Sequence, residues 1–528
     1  MPGKAMLALL VVVVSLAPFA APGGAQAAVL QFGACPPSED GLPEAGQQCA
    51  TLQLPLDYGD PNGRKIAVAV SRVRAANPAS RRGVLLLNPG GPGGPGLDLP
   101  HLLAALLPQS VLDRYDLIGF DPRFVGTSTP ITCGLSDDEA FQAYVPLQQP
   151  GGFPATTALM RNVANACASA AGDVLPFVTT ANTARDMDQI RQALGEAKIS
   201  YLGYSYGTYL GAVYAALFPD QTDRIILDSS VSPDWVWRQQ FRAWGSGGTL
   251  RFPDFASFAA ANNNTYHFGK TPTAVQNFYL RLLHRLQSHP IHLSSGFVIN
   301  GPLFQELVFS ELYSDGLFPD LAEFLKLVNG TKDTDAAGSD LLLAFEALKP
   351  RAALDDGPPD NDVASGLAIL CDDVAWSRSV ADYKRGFADD SKRYPLFGAL
   401  GSNIWPCAFW QIQPVEPPVP ITALGPSNIL MLQNRRDPAT PYAGALGLRA
   451  ALGPRARLIS VDQGGHTVYA ATPNLCANDI GTAFLVDGSF PDDDVSCGAA
   501  SSSAAEQDRL TDPVRERAIR ELIRRVKR

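Results

Sequence analysis

Short apolar runs of strand length recur along most of the chain, and segments whose apolar residues fall at helical spacing separate them. The runs are continuous, as in strands buried within a parallel sheet, and lie at residues 83–88, 115–121, 199–202, 224–228, 429–433 and 457–461. The segment 180–194 is one of those with helical spacing. This alternation predicts an α/β fold, with a mostly parallel sheet, helices on both of its faces and residues 457–461 as its last strand.

The first folded segments have a different pattern. Residues 49–56 and 65–74 alternate apolar and polar side chains, which is typical of strands with one exposed face. A turn-rich stretch at residues 57–63 separates them. Together they predict an antiparallel hairpin ahead of the parallel strands.

A change of pattern after residue 231 predicts an insertion. An aromatic-rich tract begins at Trp235, helical segments follow it, and no comparable strand run occurs before residue 429. We therefore expect a largely helical cap at residues 232–420 between two sheet-forming parts, residues 28–231 and 421–500. A loop is expected within the cap at residues 355–362, where Gly and Pro cluster.

The N-terminal segment has the features of an export signal. Lys4 precedes an apolar run at residues 5–21, and a small-x-small triplet follows at residues 25–27. We expect a secretory signal peptide at residues 1–27, cleaved after Ala27, and hence a secreted protein. An uncleaved membrane anchor is the alternative.

Basic residues dominate the C-terminal tail, residues 501–528. Apolar side chains recur on one face of residues 512–528, and Pro513 suits the first position of a helix. We expect a terminal helix that is solvated or docked on the protein. A helix lying on a membrane surface is the alternative.

The net charge narrows the possible binding partners of the protein. The formal net charge of −10 disfavours nucleic acid and anionic membranes, and no stable membrane insertion is expected.

All eight cysteines lie beyond the predicted signal, and their even number in local couples favours disulfides. The simplest pairing is Cys35 with Cys49, Cys133 with Cys167, Cys371 with Cys407, and Cys476 with Cys497. No Cys-x-x-Cys pair occurs and the histidines are scattered, so we expect no metal site and no cofactor.

The segment Gly203-Tyr204-Ser205-Tyr206-Gly207 matches the Gly-x-Ser-x-Gly pattern of a nucleophilic serine. A predicted strand ends before it and a small-residue helix follows, which is the context that the motif requires. Glycines at both ends allow the strand and helix to approach closely. Ser205 is therefore the candidate nucleophile.

A Gly- and Pro-rich loop at residues 89–96 follows a predicted buried strand. Backbone N–H groups in such a loop can stabilise the oxyanion of a tetrahedral intermediate. We expect the N–H groups of Gly91 and Tyr206 to form this oxyanion hole; a flexible linker is the alternative.

Asp437 and His466 each follow a predicted strand in the last part of the sheet. The order Ser, Asp, His, with each residue at a strand end, is that of the α/β-hydrolase fold. We expect His466 to act as general base for Ser205 and Asp437 to orient it. Asp462 is a rival acid, but it shares a short loop with His466.

Six motifs lie at residues 49–58, 88–94, 119–123, 203–208, 437–441 and 465–466. In these motifs and their order the chain resembles the secreted bacterial tripeptidyl aminopeptidases, which are α/β-hydrolase peptidases related to prolyl aminopeptidases. The resemblance covers nearly the whole chain after the predicted signal. The resemblance implies a serine peptidase that hydrolyses peptide bonds after a short N-terminal unit, often three residues. Two features depart from the family pattern: Phe124-Val125 stands where the loop is commonly glycine-rich, and the basic tail beyond Ser501 has no place in it.

Further hypotheses concern how the substrate is bound and which function the protein has. The predicted cap contains Asp372 and Asp373, and either could bind the free α-ammonium of a peptide, since related prolyl aminopeptidases are expected to use acidic cap residues for this; a solvated acidic turn is the alternative. The triad alone also allows a carboxylesterase or other small-ester hydrolase. A catalytically silent binding protein is a third possibility, which a complete Ser, Asp, His set disfavours.

Overall fold

The computed structural model describes residues 30–35, 42, 45–144, 147–293, 298–331, 339–348, 357–412, 414–499 and 512–527. The predicted signal peptide lies outside these residues. The strands are β1 Gly33–Ala34, β2 Gln48–Pro55, β3 Lys65–Val73, β4 Gly83–Asn88, β5 Tyr115–Phe120, β6 Ile199–Tyr204, β7 Thr222–Asp228, β8 Ile291–His292, β9 Val298–Ile299, β10 Ile429–Arg436, β11 Ala456–Gly464 and β12 Val495–Cys497. The α-helices are α1 Leu99–Ala104, α2 Gln109–Leu112, α3 Asp137–Tyr144, α4 Phe153–Ala171, α5 Thr180–Ala193, α6 Tyr206–Leu217, α7 Arg238–Arg242, α8 Trp244–Ala261, α9 Asn263–Tyr266, α10 Pro272–Ser288, α11 Gly301–Glu311, α12 Phe318–Gly330, α13 Ser339–Leu348, α14 Asn361–Asp373, α15 Val380–Arg393, α16 Tyr442–Leu452, α17 Leu475–Asp487 and α18 Pro513–Lys527.

One sheet organises the molecule, with the strand order β1-β2-β3-β5-β4-β6-β7-β10-β11-β12. The pairs from β5 to β12 are all parallel. The opening strands β2 and β3 pair antiparallel, with Leu52 opposite Val68. The predicted mostly parallel α/β sheet and its opening hairpin are therefore confirmed.

Both faces of the sheet are covered, because alternate side chains of a buried strand point to opposite sides. In β4, Val84 and Leu86 pack with the residues of α4, α5 and α6. Leu85 and Leu87 pack on the other side, with α1 and α17. This two-sided burial explains why the strand runs are apolar throughout rather than alternating.

A second apolar cluster, which contains Phe252, Phe304 and Phe397, draws most of its residues from α8, α10, α11, α12 and α13. Helix α14 differs from these helices, since Leu367 and Ile369 pack in the same cluster as the sheet. The boundaries 28–231, 232–420 and 421–500 remain predictions.

The structure corrects four local predictions. Residues 457–461 are not the last strand, because β12 adds a short parallel strand beside β11. Strands β10 and β11 continue to Arg436 and Gly464, into segments expected to be loops. Residues 361–362 begin α14 instead of ending a loop. Helices α3 and α4 were not predicted; α4 is rich in Ala, which gives a weak apolar period.

Covalent links and the terminal helix complete the fold. The four expected disulfides are all present, with S–S distances from 1.96 to 2.09 Å. Helix α18 is docked, because Ala518, Leu522 and Val526 are buried against α1 and neighbouring residues. The same face therefore cannot lie on a membrane in this structure. None of the described helices combines the length and apolar character of a membrane span.

Candidate active site

Ser205 lies at the turn between β6 and α6, with its backbone in the left-handed region (φ 55°). Its N–H donates to the carbonyl oxygen of Asp228 at 2.9 Å. A methyl group on Gly203 would lie 2.5 Å from the carbonyl oxygen of Gly207, and one on Gly207 would lie 2.7 Å from Asn88 Oδ1. The turn therefore tolerates only glycine at these two positions, as the motif predicts.

Asp437 and His466 are both buried and are directly hydrogen-bonded. His466 Nδ1 lies 2.8 Å from Asp437 Oδ2 and 3.0 Å from Asp437 Oδ1. The carboxylate also accepts the N–H groups of Ala439 and Thr440 and the Thr440 hydroxyl, at 2.8 to 2.9 Å. These donors fix the carboxylate, which in turn requires the proton of a neutral His466 to sit on Nδ1.

The other ring nitrogen of His466, Nε2, has a different environment. Nε2 is buried and makes no hydrogen bond within the described part of the chain. The backbone N–H of His466 donates to the carbonyl oxygen of Tyr313 at 2.8 Å. The Tyr313 ring packs edge-on against the imidazole, with the ring centroids 5.0 Å apart. Tyr313 follows α11, so the segment after that helix contacts the histidine directly. Nε2 is thus the ring atom free to exchange a proton with a reacting group.

Asp462, the rival acid, faces away from this arrangement. Its carboxylate accepts a hydrogen bond from Arg436 Nη1 at 2.8 Å and is 53% exposed. Asp437, and not Asp462, is the carboxylate on the histidine.

The Gly- and Pro-rich loop lies against the nucleophile. A methyl group on Gly90 would lie 2.9 Å from Ser205 Cβ and 3.4 Å from the backbone nitrogen of Tyr206. Gly90 and Gly91 both have φ near 105°, which favours glycine. Within the described residues, the N–H groups of Gly91 and Tyr206 have no protein acceptor. The amides of Gly91 and Tyr206 therefore remain the candidate oxyanion donors.

Helix α14 crosses this loop at van der Waals distance. A methyl group on Gly93 would lie 2.5 Å from the carbonyl oxygen of Asp362, and one on Gly366 would lie 2.7 Å from that of Pro92. Only glycine on each side allows this approach. The helix thus covers the loop and carries Asp372 and Asp373 at its C-terminal end.

The two aspartates at the end of α14 have different surroundings. Asp373 accepts the N–H and hydroxyl of Thr180, at 2.7 and 2.6 Å, and the Trp237 indole N–H at 3.2 Å. The Thr180 hydroxyl also lies 2.8 Å from the Tyr206 hydroxyl, so Asp373 is linked to the residue after the serine. Burial raises the pKa of Asp373 to about 6, against the opposing effect of these hydrogen bonds.

Asp372 is bound on one oxygen only. Oδ1 accepts the Trp410 indole N–H at 2.7 Å, whereas Oδ2 is buried with no partner within the described residues. The side chain is 1% exposed, and burial raises its pKa well above the usual range. The Cys371–Cys407 disulfide joins the segments that carry Asp372 and Trp410. The expected alternative of a solvated acidic turn is wrong, because both aspartates are buried.

Sequence reasoning missed three residues that support this site. Asp228 ends β7, and its buried carboxylate accepts the N–H groups of Val468 and Tyr469, just after His466. Thr440 donates to Asp437, and Tyr313 supports His466 from the cap. The Asp after an apolar strand was a detectable signal, whereas nothing in the sequence links Tyr313 to the histidine.

A serine at a strand-to-helix turn, with a hydrogen-bonded histidine and aspartate at the ends of nearby strands of one sheet, defines the class of α/β-hydrolase-fold serine hydrolases. Across the described ranges, no cluster of His, Cys, Asp and Glu is suited to a metal ion. Two family models match the chain: "alpha/beta hydrolase fold" over residues 83–318 and "TAP-like protein" over residues 394–497.

Curated relatives identify the family within this class. The tripeptidyl aminopeptidase of Streptomyces coelicolor is 34% identical over 463 residues, covering 85% of this chain and 83% of that protein. Serine protease Hip1 of Mycobacterium tuberculosis is 30% identical and covers 86% of this chain and 87% of its own. Carboxylesterase B of the same species is 31% identical, with 85% and 86% covered. The chain belongs to the tripeptidyl aminopeptidase family, as its motifs predict.

Proposed function

We propose that this protein is a serine exopeptidase that releases short peptides, tripeptides foremost, from free amino termini through an acyl-enzyme on Ser205. The observation that carries this proposal is the buried Asp372 on α14, whose Oδ2 lacks a partner within the described residues. An unpaired buried carboxylate is costly unless a cation joins it. A peptide α-ammonium is such a cation, and relatives named as tripeptidyl aminopeptidases support this choice.

The chemistry follows from the three candidate catalytic residues. His466 Nε2 takes the proton of Ser205 Oγ as that oxygen bonds to the scissile carbonyl carbon. The N–H groups of Gly91 and Tyr206 stabilise the oxyanion. His466 then gives the proton to the leaving amine as the C–N bond breaks, and a water hydrolyses the ester in the same way. Asp437 holds the tautomer and stabilises the imidazolium.

Asp372 and Asp373 would have different roles in substrate binding. Asp373 is saturated by Thr180 and Trp237, so its part is to hold Thr180 and, through it, Tyr206. Asp372 has the open oxygen, so it is the residue that would bind the ammonium. A charge-assisted hydrogen bond of this kind contributes about 1.5 to 3 kcal/mol. This difference makes Asp372 the specific anchor and Asp373 its support.

Chromogenic substrates test the proposal. A tripeptidyl p-nitroanilide with a free amine should be hydrolysed, and its N-acetyl analogue should be hydrolysed at least about a hundredfold less efficiently, as kcat/KM, because it cannot pair with Asp372. Asp372→Asn should raise KM for the free-amine substrate about 10- to 100-fold and leave the acetylated one unchanged. Asp373→Asn, the matched variant, should lower the rate of hydrolysis of both the free-amine and the acetylated substrate.

A carboxylesterase is the second candidate, and the relative named carboxylesterase B favours it. A simple p-nitrophenyl ester separates the two functions. If the ester is hydrolysed with a far higher kcat/KM than any free-amine peptide, and Asp372→Asn changes neither, the exopeptidase proposal is wrong and the esterase one holds. Ser205→Ala should abolish hydrolysis of both substrates in either case.

We also infer that the protein is exported. Four disulfides are typical of proteins that fold in oxidising compartments. The predicted signal peptide at residues 1–27 supports export. N-terminal sequencing of the mature protein should begin near Ala28, and a start at Met1 would contradict cleavage.

A further inference from the structure

Asp228, the last residue of β7, contacts both the nucleophile and the base loop. Its carbonyl oxygen accepts the Ser205 N–H at 2.9 Å. Its carboxylate accepts the Val468 N–H on both oxygens, at 3.0 Å each, and the Tyr469 N–H at 2.6 Å. A single residue thus bridges the serine turn and the loop that begins with His466.

Ser229 extends this bridge. Its hydroxyl accepts the Thr467 N–H at 2.8 Å and donates to Asp228 Oδ1 at 3.1 Å. Ser229 and Thr467 both have a left-handed backbone, with φ of 64° and 79°. Such conformations persist in non-glycine residues only when the surrounding contacts enforce them. The hydrogen bonds between β7 and the base loop are contacts of that kind.

Asp228 and Ser229 are both fully buried, so water does not compete for their hydrogen bonds to the loop after His466. Burial raises the pKa of Asp228 to about 7, while the hydrogen bonds from Tyr469, Val468 and Ser229 act in the opposite direction. A buried carboxylate held by backbone N–H groups is an expensive way to fasten a loop, unless the position of that loop matters. Here the loop carries the proposed general base.

We propose that Asp228 and Ser229 are positioning residues that fix the separation of Ser205 and His466. They touch no substrate and act only through the backbone of the two catalytic segments. This inference rests on the proposed serine mechanism and adds to it the residues that align its two proton-exchanging groups. A misplacement of about 1 Å between such groups can cost about a hundredfold in rate.

Two substitutions separate geometry from charge. Asp228→Asn removes the charge but keeps an oxygen for the amides of Val468 and Tyr469, so kcat should fall by no more than about fivefold. Asp228→Glu keeps the charge but lengthens the side chain by one methylene, so kcat should fall about 30- to 100-fold while KM changes by less than about threefold. The rate of fluorophosphonate labelling of Ser205 should fall in parallel with kcat.

The matched control is Asp116→Glu, which lengthens another buried carboxylate that accepts a backbone N–H, that of Ala75, at the opposite end of the sheet. It should leave kcat and labelling unchanged even if stability falls. If Asp228→Glu keeps more than a third of the wild-type kcat, or if Asp228→Asn loses as much as Asp228→Glu, the proposal is overturned.

A second variant covers the case in which Asp228→Glu does not fold. If Asp228→Glu yields no folded protein, Ser229→Ala replaces it, since it removes only the acceptor of the Thr467 N–H. A three- to tenfold loss of kcat at constant KM, about 0.7 to 1.4 kcal/mol, is then expected, and an unchanged kcat overturns the proposal. An active Ser205→Ala would refute the serine mechanism itself, whereas an inactive Ser205→Ala beside a fully active Asp228→Glu would refute only the positioning role.

Discussion

The ammonium group of Lys527 lies 2.7 Å from the carboxylate of Glu311, so the last turn of α18 is joined to the end of α11. Burial raises the pKa of Glu311, and Lys527 acts against that rise. On the other side, the Arg525 guanidinium pairs with Asp98, just before α1. The C-terminal helix therefore links α11 to the segment between the Gly- and Pro-rich loop and α1.

The first prediction concerns this helix. Leu522 is fully buried, so Leu522→Ala should lower the free energy of unfolding by about 2 to 5 kcal/mol, through lost burial and the cavity left behind. Val514, on the same helix, is 38% exposed, so Val514→Ala should change the free energy of unfolding by less than about 0.5 kcal/mol. Urea unfolding measures both. Equal effects would show that α18 is not docked in solution.

The second prediction tests the choice of catalytic acid. Asp437→Asn should reduce kcat about 10⁴-fold, because an amide in place of the carboxylate favours the wrong tautomer of His466. Asp462→Asn, the exposed rival on the same side of the sheet, should change kcat by less than about threefold. Steady-state hydrolysis of a single substrate suffices, and a comparable loss in both variants would reopen the assignment.

The third prediction links stability to pH. The pKa of Asp372 is raised in the folded state by burial, so the folded protein binds the proton more tightly than the unfolded chain. Stability contributed by this group must then fall as pH rises above about 4, the ordinary range of an aspartate. Asp372→Asn cannot ionise, so it should gain stability relative to wild type at pH 7.5 but much less at pH 4.5. Urea unfolding at the two pH values would contradict this if the difference were constant.

The fourth prediction concerns the disulfides. Replacing Cys371 and Cys407 with Ser should lower the melting temperature and also raise KM for free-amine peptides, because that bridge joins the segments of Asp372 and Trp410. Replacing Cys476 and Cys497 should lower stability alone, since they fasten β12 at the sheet edge. Loss of a disulfide typically costs about 2 to 5 kcal/mol in small domains. An unchanged KM in the first variant would separate the bridge from substrate binding.

The fifth prediction tests the contact between α14 and the glycine-rich loop. A methyl group on Gly366 would lie 2.7 Å from the carbonyl oxygen of Pro92, so Gly366→Ala should displace the loop and lower kcat for peptides and esters alike. Loss of one oxyanion donor costs about 10² to 10³ in kcat, which is the upper limit expected here. Gly330→Ala, where the added methyl meets nothing within 4 Å, is the control. A wild-type rate in Gly366→Ala would show that the loop adjusts freely.

Local sequence was sufficient for the six long buried strands of the sheet and for the turn at Ser205, but not for the short strand β12. Apolar runs of strand length, such as residues 83–88, specify a buried strand because both faces must exclude water. Gly203 and Gly207 specify the tight turn because their own missing side chains make room for it. The order Ser205, Asp437, His466, each just after a strand, likewise needs only the chain.

Tertiary structure decided what those residues contact. The choice of Asp437 over Asp462 depends on which carboxylate points toward the imidazole. In the sequence each of the two aspartates follows an apolar strand run, so the pattern alone does not separate them. The burial of Asp372 depends on Trp410, 38 residues away along the chain and brought near by the fold. The bridge of Asp228 to Val468 spans 240 residues. Sequence patterns report periodicity over a few turns or strands, whereas hydrogen bonds between distant segments exist only once the chain has packed.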